Sequence, residues 1–313
     1  MIFKKIRRGH VDWRNFLCST PARDYVFQKE EYVSQLDRAV EYIRKADSII
    51  VGAGAGASTA AGIQYGGKRF TDNFGEFIEK YGVHYMTDMY AAGFYPYPSE
   101  EAKWGYWSKH ALMNRFDPPA LPLYTKLYDI VKSKEYFVLT TNVDHQFYKA
   151  GFDEKRIFAT QGDYGKIQCQ KACHSKTYDA EELFRKMDEA RKDCLIPSEL
   201  VPKCPVCGGN MAMNLRCDNY FVEDEAWHEA VDRYAGFLEQ NKDKKVVLLE
   251  LGVGFNTPII IRFPFEKMMR ENPSYSLIRL NMDEAVVPES FGERAIGIGG
   301  DMAKAIADIR GLV

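Results

Sequence analysis

The chain has almost no net charge and no long apolar run. Its 42 Lys and Arg against 44 Asp and Glu leave a charge of -2 at pH 7 over 313 residues, so no overall basic field favours nucleic acid as the main partner. No run of about eighteen or more apolar residues occurs, and the basic start Lys4-Lys5-Ile6-Arg7-Arg8 runs into His10, Asp12 and Arg14 instead of an apolar core. Neither a membrane span nor a signal peptide is expected. Cysteine is sparse and odd in number, and six of the seven crowd into residues 166–217, which argues against a secreted disulfide scaffold and for a reducing cytoplasmic setting. Internal repeats and low-complexity tracts are missing too. What remains is an ordinary globular balance, 46% hydrophobic and 27% charged, with length enough for one large domain and a smaller one.

The most informative stretch is Ser48 to Gly62, where a short apolar strand enters a turn made almost wholly of Gly and Ala. Small residues at Gly52, Ala53, Gly54, Ala55 and Gly56 let backbone N–H groups approach a ligand, and the following helix offers its positive end to an anion such as a nucleotide pyrophosphate. The same composition also serves tight strand–helix packing. Gly52-x-Gly54-x-x-Ala57 fits the dinucleotide fingerprint loosely, but the acidic strand end expected about 20 residues on is replaced by Gln64-Tyr65-Gly66-Gly67. That departure argues against a dehydrogenase.

Residues 29–46 carry Tyr32, Val33, Leu36, Val40 and Ile43 at helical spacing. Strand-sized apolar runs follow at 136–139, 156–159, 246–251, 274–280 and 295–298, alternating with helical patterns at 227–239 and 302–309. This order predicts an α/β fold, a Rossmann-like parallel sheet with helices on both faces. Residues 64–118, rich in aromatics and proline, read as a helical and loop module, either a satellite aromatic core or a cover for the glycine turn. The expected division is an extension at 1–28, a nucleotide-binding domain at 29–165 and 218–313, and a small inserted domain at 166–217.

In that insertion, Cys169-x-x-x-Cys173 and Cys204-x-x-Cys207 have the spacing of two knuckles for a structural zinc, with His174 as an alternative ligand. The intervening segment 179–193 predicts a charged helix capped by Asp179, with Glu181/Arg185, Glu182/Lys186 and Asp188/Lys192 at i,i+4 spacing. Cys194 and Cys217 receive no chemistry.

The Gly-Ala-Gly-x-Ser-Thr-x-Ala-Gly-Ile turn at 54–63, the segment Thr140-Thr-Asn-Val-Asp144 and the paired cysteine knuckles together resemble the sirtuin family. Leu251-Gly-Val-Gly254, Arg279-Leu-Asn281 and Gly299-Gly-Asp301 extend the likeness over roughly residues 30–310. The resemblance implies a Rossmann-like domain with an inserted zinc ribbon, consuming NAD as an ADP-ribose donor. Carried over by position, it implies that Gly54, Ala55 and Ser58 line the pyrophosphate and ribose, Asn142 lies beside the nicotinamide ribose, and Asp144 holds the nicotinamide amide. Gly252, Gly254, Asn256, Asn281 and Asp301 are assigned to the same cofactor.

Where sirtuin deacylases carry a His-Gly pair, this chain reads Ala159-Thr-Gln161-Gly162-Asp163. A Gln amide neither gains nor loses a proton at useful pH, so Gln161 can orient but cannot act as a base. Asn142 with Gln161, the Tyr-Gly-Gly loop and the run from Gly252 to Pro258 are similar to the macrodomain-linked, class M sirtuins. That likeness implies protein mono-ADP-ribosylation with Asn142 and Gln161 as catalytic residues, a lipoylated acceptor resembling glycine cleavage protein H, and a macrodomain hydrolase that removes the mark. Lysine deacylation and a non-catalytic NAD sensor are the rival expectations. Asp163 stands open as a carboxylate base, Tyr65 as a cover for the ribose, and His145 as a capping residue.

Overall fold

A computed structural model describes residues 21–255 and 257–313. Most of the expected extension, residues 1–20, and the candidate Asn256 lie outside the described residues. No helix among those described is long and apolar enough to cross a membrane.

Six parallel strands form the central sheet, in the spatial order 295–299, 276–281, 246–251, 48–53, 135–140 and 157–159. The strands Ser48–Ala53 and Val246–Leu251 are buried along their whole length, as strands covered on both faces must be. On one face lie the helices Tyr32–Lys45, Pro122–Val131 and Met302–Leu312, packed through Leu36, Ile43, Leu127 and Ile306. Glu225–Asn241 and Arg262–Glu271 cover the other through Tyr234, Phe265 and Met269.

Chain order and register locate the site. From Ser48–Ala53 the chain builds outward on one side to 135–140 and 157–159, then returns to build 246–251, 276–281 and 295–299 on the other. The topological switch therefore lies between 48–53 and 246–251, where open α/β sheets leave a crevice at the carboxyl ends of the strands. Ala53 pairs in register with both Thr140 and Leu251, and Leu251 with Leu280. Four turns bearing candidate residues thus leave the sheet at one edge.

Residues 64–118 form the helices Gly67–Tyr81, Met89–Gly93 and Glu100–Ala111, followed by a π-helical turn at Leu112–Phe116. Phe70, Phe74, Phe77, Trp104 and Tyr106 form a buried core continuous with Phe184, Met187 and Met211 of the cysteine-bearing segment. That segment contains an antiparallel three-stranded sheet, Thr177–Asp179, Gly162–Cys169 and Met211–Leu215. The charged helix spans Glu181–Ala190 and is not capped by Asp179, which ends a strand; Ala180 takes the cap position without a side-chain bond. Glu181 pairs with Arg185 at 2.8 Å, whereas Asp188 turns to Arg191 at 3.0 Å because the helix has ended before Lys192.

Candidate active site and metal centre

The glycines of the first turn are required by backbone meeting backbone. A Cβ on Gly54 would lie 2.8 Å from the Gly252 carbonyl oxygen, and one on Gly56 would lie 2.7 Å from Gly252 Cα. The Gly54 N–H donates to Leu251 O at 2.9 Å and the Gly56 N–H to Gly252 O at 3.0 Å. Gly252 is left-handed, with φ +60°, and its N–H reaches Leu280 O. Tight packing thus accounts for Gly54, Gly56 and Gly252 together, and the same packing holds the exposed Ala55 at the start of its helix, beside the crevice.

Behind this turn runs a directed hydrogen-bond chain. Ser58 Oγ donates to the Asp144 carboxylate, whose other oxygen accepts the Gln146 N–H at 3.1 Å. With its proton spent, Ser58 Oγ accepts from the Tyr124 hydroxyl at 3.1 Å. The Tyr124 oxygen then accepts from Asn142 Nδ2 at 3.4 Å, and the Asn142 N–H donates to Thr140 Oγ1 at 3.0 Å. The order fixes the Asn142 amide, leaving Oδ1 on the side away from Tyr124. All five side chains are buried. Burial raises the Asp144 carboxyl above its usual range against the opposing Ser58 and Gln146 bonds, and burial with the Asp144 charge keeps Tyr124 protonated. Tyr124 carries no local signal in the sequence because it sits in an amphipathic helix as one more core aromatic.

Gln161 is half-buried at the turn after the strand Ile157–Ala159, its Nε2 donating to Thr160 Oγ1 at 3.1 Å. Asp163, the open alternative base, is fully engaged. Its Oδ1 accepts from Arg115 Nε at 3.0 Å and from the Gly165 N–H at 2.6 Å, and its Oδ2 faces His145 Nδ1 at 2.7 Å. Burial would raise this carboxyl, but His145, Arg115 and Gly165 together hold it below the usual range. His145 does occupy the cap position of the short helix Gln146–Lys149, with left-handed φ of 65°, but makes no side-chain cap bond. Tyr65 meets the Tyr164 hydroxyl at 2.8 Å, and both rings lie edge-on to the buried His110.

On the far side of the switch point the candidate residues brace loops. Asn281 Nδ2 donates to Val253 O at 3.1 Å and its Oδ1 accepts the Asp283 and Glu284 N–H groups. Gly254 is half-buried in the same loop. Asp301 caps the last helix, accepting the Lys304 N–H at 3.1 Å. Beneath them lies a quartet invisible to apolar patterning. Glu250 pairs with Arg279 at 2.7 Å and with Arg262 at 3.3 Å, and Arg279 reaches Glu266 at 3.0 Å, all four side chains at 0% exposure. Two negative and two positive charges balance, as burial demands. Arg262 Nη2 also donates to Glu284 O and Arg279 Nη1 to Val286 O, tying the 282–286 loop to the core.

The four cysteines of the two knuckles converge. Cys169 Sγ is 3.7 Å from Cys207 Sγ, Cys173 Sγ is 3.6 Å from Cys204 Sγ, and all four sulfurs lie within 4.8 Å of one another. A tetrahedral zinc with bonds of about 2.3 Å needs S···S edges of about 3.8 Å, so the donor set fits that ion. Backbone N–H groups of Cys173 and Lys171 turn toward Cys169, and those of Cys207 and Val206 toward Cys204, favouring both thiolates. His174 stands outside the four. Its Nδ1 accepts the Lys176 N–H at 3.1 Å, so Nε2 carries the proton and faces Cys204 Sγ at 3.5 Å as a donor.

A parallel sheet with a crevice at its switch point, a small cysteine-bearing sheet and a helical module define a sirtuin fold. A solved complex of a Sir2 homologue with NAD matches with TM-score 0.57 at 16% identity, over 94% of this chain and all of that one. A structure described for the mechanism and regulation of Sir2 enzymes matches with TM-score 0.55 at 16% identity, over 90% and 97%. No family model matches the chain. A protein ADP-ribosyltransferase of Staphylococcus aureus is 38% identical over 278 residues, 88% of this chain and 87% of that protein. A probable bifunctional ADP-ribose hydrolase/ADP-ribosyltransferase of Fusarium oxysporum is 31% identical over 293 residues, 87% of this chain, which spans about half (47%) of that relative's length. The chain belongs to the sirtuin-type protein ADP-ribosyltransferases.

Proposed function

We propose that this protein transfers a single ADP-ribosyl unit from NAD to a protein side chain, and that its acceptor is a lipoylated carrier resembling glycine cleavage protein H. The observation that carries the reading is the Asn142–Tyr124–Ser58–Asp144 chain at the switch point, with an amide, Gln161, where deacylases place an imidazole. Bound NAD supplies the ADP-ribosyl group, with nicotinamide as its leaving group.

Asn142 presents Oδ1 to a ribose hydroxyl or the incoming group, held by Tyr124 and Thr140. Asp144, fixed by Ser58 and Gln146, faces the nicotinamide amide, and Gln161 orients ribose hydroxyls by hydrogen bonding alone. Gly54, Ala55, Gly252, Gly254, Asn281 and Asp301 shape or brace the cofactor side. The zinc cluster is closed by four thiolates, so its part is structural. The Fusarium relative, whose name joins a hydrolase to a transferase, supports a macrodomain-type hydrolase acting on the same mark. The six cysteines among the described residues form no disulfide, which suits a reducing cytoplasm.

The test is incubation with NAD labelled in its adenylate, plus lipoylated or unmodified carrier. Label on the lipoylated carrier, lost in Asn142→Ala and Gln161→Ala, supports the reading. Nicotinamide release only with an acyl-lysine peptide, and no protein label, overturns it in favour of deacylation.

A further inference from the structure

We infer that His145 and Asp163 form the base that receives the acceptor's proton, with His145 Nε2 as the receiving atom. The inference rests on the transferase reading above and supplies what Gln161 cannot. Asp163 Oδ2 can only accept, so the 2.7 Å contact places the proton of the neutral imidazole on Nδ1 and leaves Nε2 with a bare lone pair. An orienting carboxylate behind an imidazole is the arrangement that general bases use.

Three further observations favour a working dyad over a brace. The carboxylate cannot swing away, because Arg115 Nε and the Gly165 N–H hold its other oxygen at 3.0 and 2.6 Å. The imidazole stacks on Tyr148 with ring centroids 4.1 Å apart and planes 12° from parallel, and retains 25% side-chain exposure against 16% for Asp163. The orienter is therefore the more buried partner and the ring the more open one. His145 also holds a left-handed backbone, φ 65°, at a position where glycine would be free of strain. Such strain persists where the surroundings impose it, and it clusters at functional sites.

Sequence ties the dyad to both segments that carry the proposed catalytic residues. His145 directly follows Asp144, and Asp163 stands two residues after Gln161, so the pair joins the two segments that carry the proposed catalytic residues. The charged groups about the ring are Asp163, Arg115 and Asp144, with Glu154 and Arg233 acting on Tyr148 beneath it. In the transfer, the acceptor heteroatom bonds to ribose C1′ while the C1′–N bond breaks, its electron pair leaving with neutral nicotinamide. The acceptor's proton passes to His145 Nε2 and then to solvent. NAD⁺ and a protonated acceptor become ADP-ribosylated acceptor, nicotinamide and one proton.

The experiment follows label transfer from adenylate-labelled NAD to the lipoylated carrier over about pH 5.5–8.5, with NAD affinity by calorimetry and a thermal melt. His145→Asn tolerates the left-handed backbone but has no base. Transfer is expected to fall about 10²-fold or more and to lose its acid limb, while NAD affinity and melting hold. His145→Gly, natural to that backbone, guards against misfolding, and added imidazole is expected to restore part of its rate. Both variants transferring at the wild-type rate with an unchanged pH profile would overturn the dyad alone. A wild-type protein that labels no carrier would remove the transferase reading and the dyad's role with it.

Discussion

The Tyr124 hydroxyl lies 3.1 Å from Ser58 Oγ, joining two helices 66 residues apart in sequence at the floor of the crevice. Through it the Asn142 amide is oriented by the Asp144 carboxylate, with Tyr124 and Ser58 standing between the two side chains. Tyr124→Phe keeps the ring packed edge-on to Phe147 at 5.0 Å and deletes only the relay. Transfer is expected to fall about tenfold or more, with stability lowered by about 1–2 kcal/mol, read by single-turnover labelling beside a denaturant melt.

Gly252→Ala tests the backbone packing of the two turns. The new Cβ would meet Ala57 N at 2.4 Å, in a backbone at φ +60° that disfavours any side chain. Backbone cannot step aside as a side-chain tip can, so a loss of about 1–3 kcal/mol and weaker NAD binding are expected together in calorimetry. Unchanged binding would separate this turn from the cofactor.

Glu250 holds Arg279 and Arg262 where all three side chains are fully buried. Glu250→Ala leaves two buried guanidinium groups, Arg279 with Glu266 at 3.0 Å and Arg262 with only Glu284 at 3.8 Å, and is expected to cost about 3–5 kcal/mol. The 282–286 loop should loosen first, because both arginines anchor it; hydrogen exchange on that loop is the direct readout.

His110 gives the fold an acid sensitivity. Its Nδ1 lies 3.1 Å from the Tyr106 oxygen, whose own proton goes to Met89 O, so Nδ1 carries the imidazole proton and Nε2 is left without a partner among the described residues. Burial first, and the Arg69 charge second, push its pKa down to about 3. An unfolded chain binds a proton here below about pH 6.5 while the folded one does not, so stability falls as pH drops through that value, by up to about 1.4 kcal/mol per unit. The loss continues down to the folded pKa. His110→Phe should flatten this component of the melting temperature between about pH 7 and 5.

Removing the metal should melt the small cysteine-bearing sheet. Cys204→Ser or a strong chelator is expected to abolish zinc content and lower the melting temperature sharply, since the metal's binding energy is folding energy. His174→Ala should keep the metal but weaken it by about 10–100-fold. Equal zinc affinity in that variant would deny the Nε2–H···Sγ bond a role.

The strands, the glycine turn and the four cysteines were legible because each depends on local rules: apolar runs, residues without bulk, knuckle spacing; Asn142, Asp144 and Gln161 came only through the family resemblance, by position. Legibility ended where partners come from distant segments. The cap on the charged helix was misplaced because Asp179 is claimed by strand pairing with Lys166, a tertiary preference that local capping signals do not report.

By itself, then, the sequence determined the parallel α/β architecture, the inserted metal knuckles and the absence of an imidazole at position 161. Tertiary structure alone decided that Gly56 packs on Gly252, that Tyr124 orients Asn142, that Asp163 is bound to Arg115 and His145, and that Glu250 sits among buried arginines. The physical reason is range. Backbone conformation and side-chain period are set within a few residues, whereas the direction of a hydrogen bond or the cost of a buried charge depends on whichever segment the fold brings alongside.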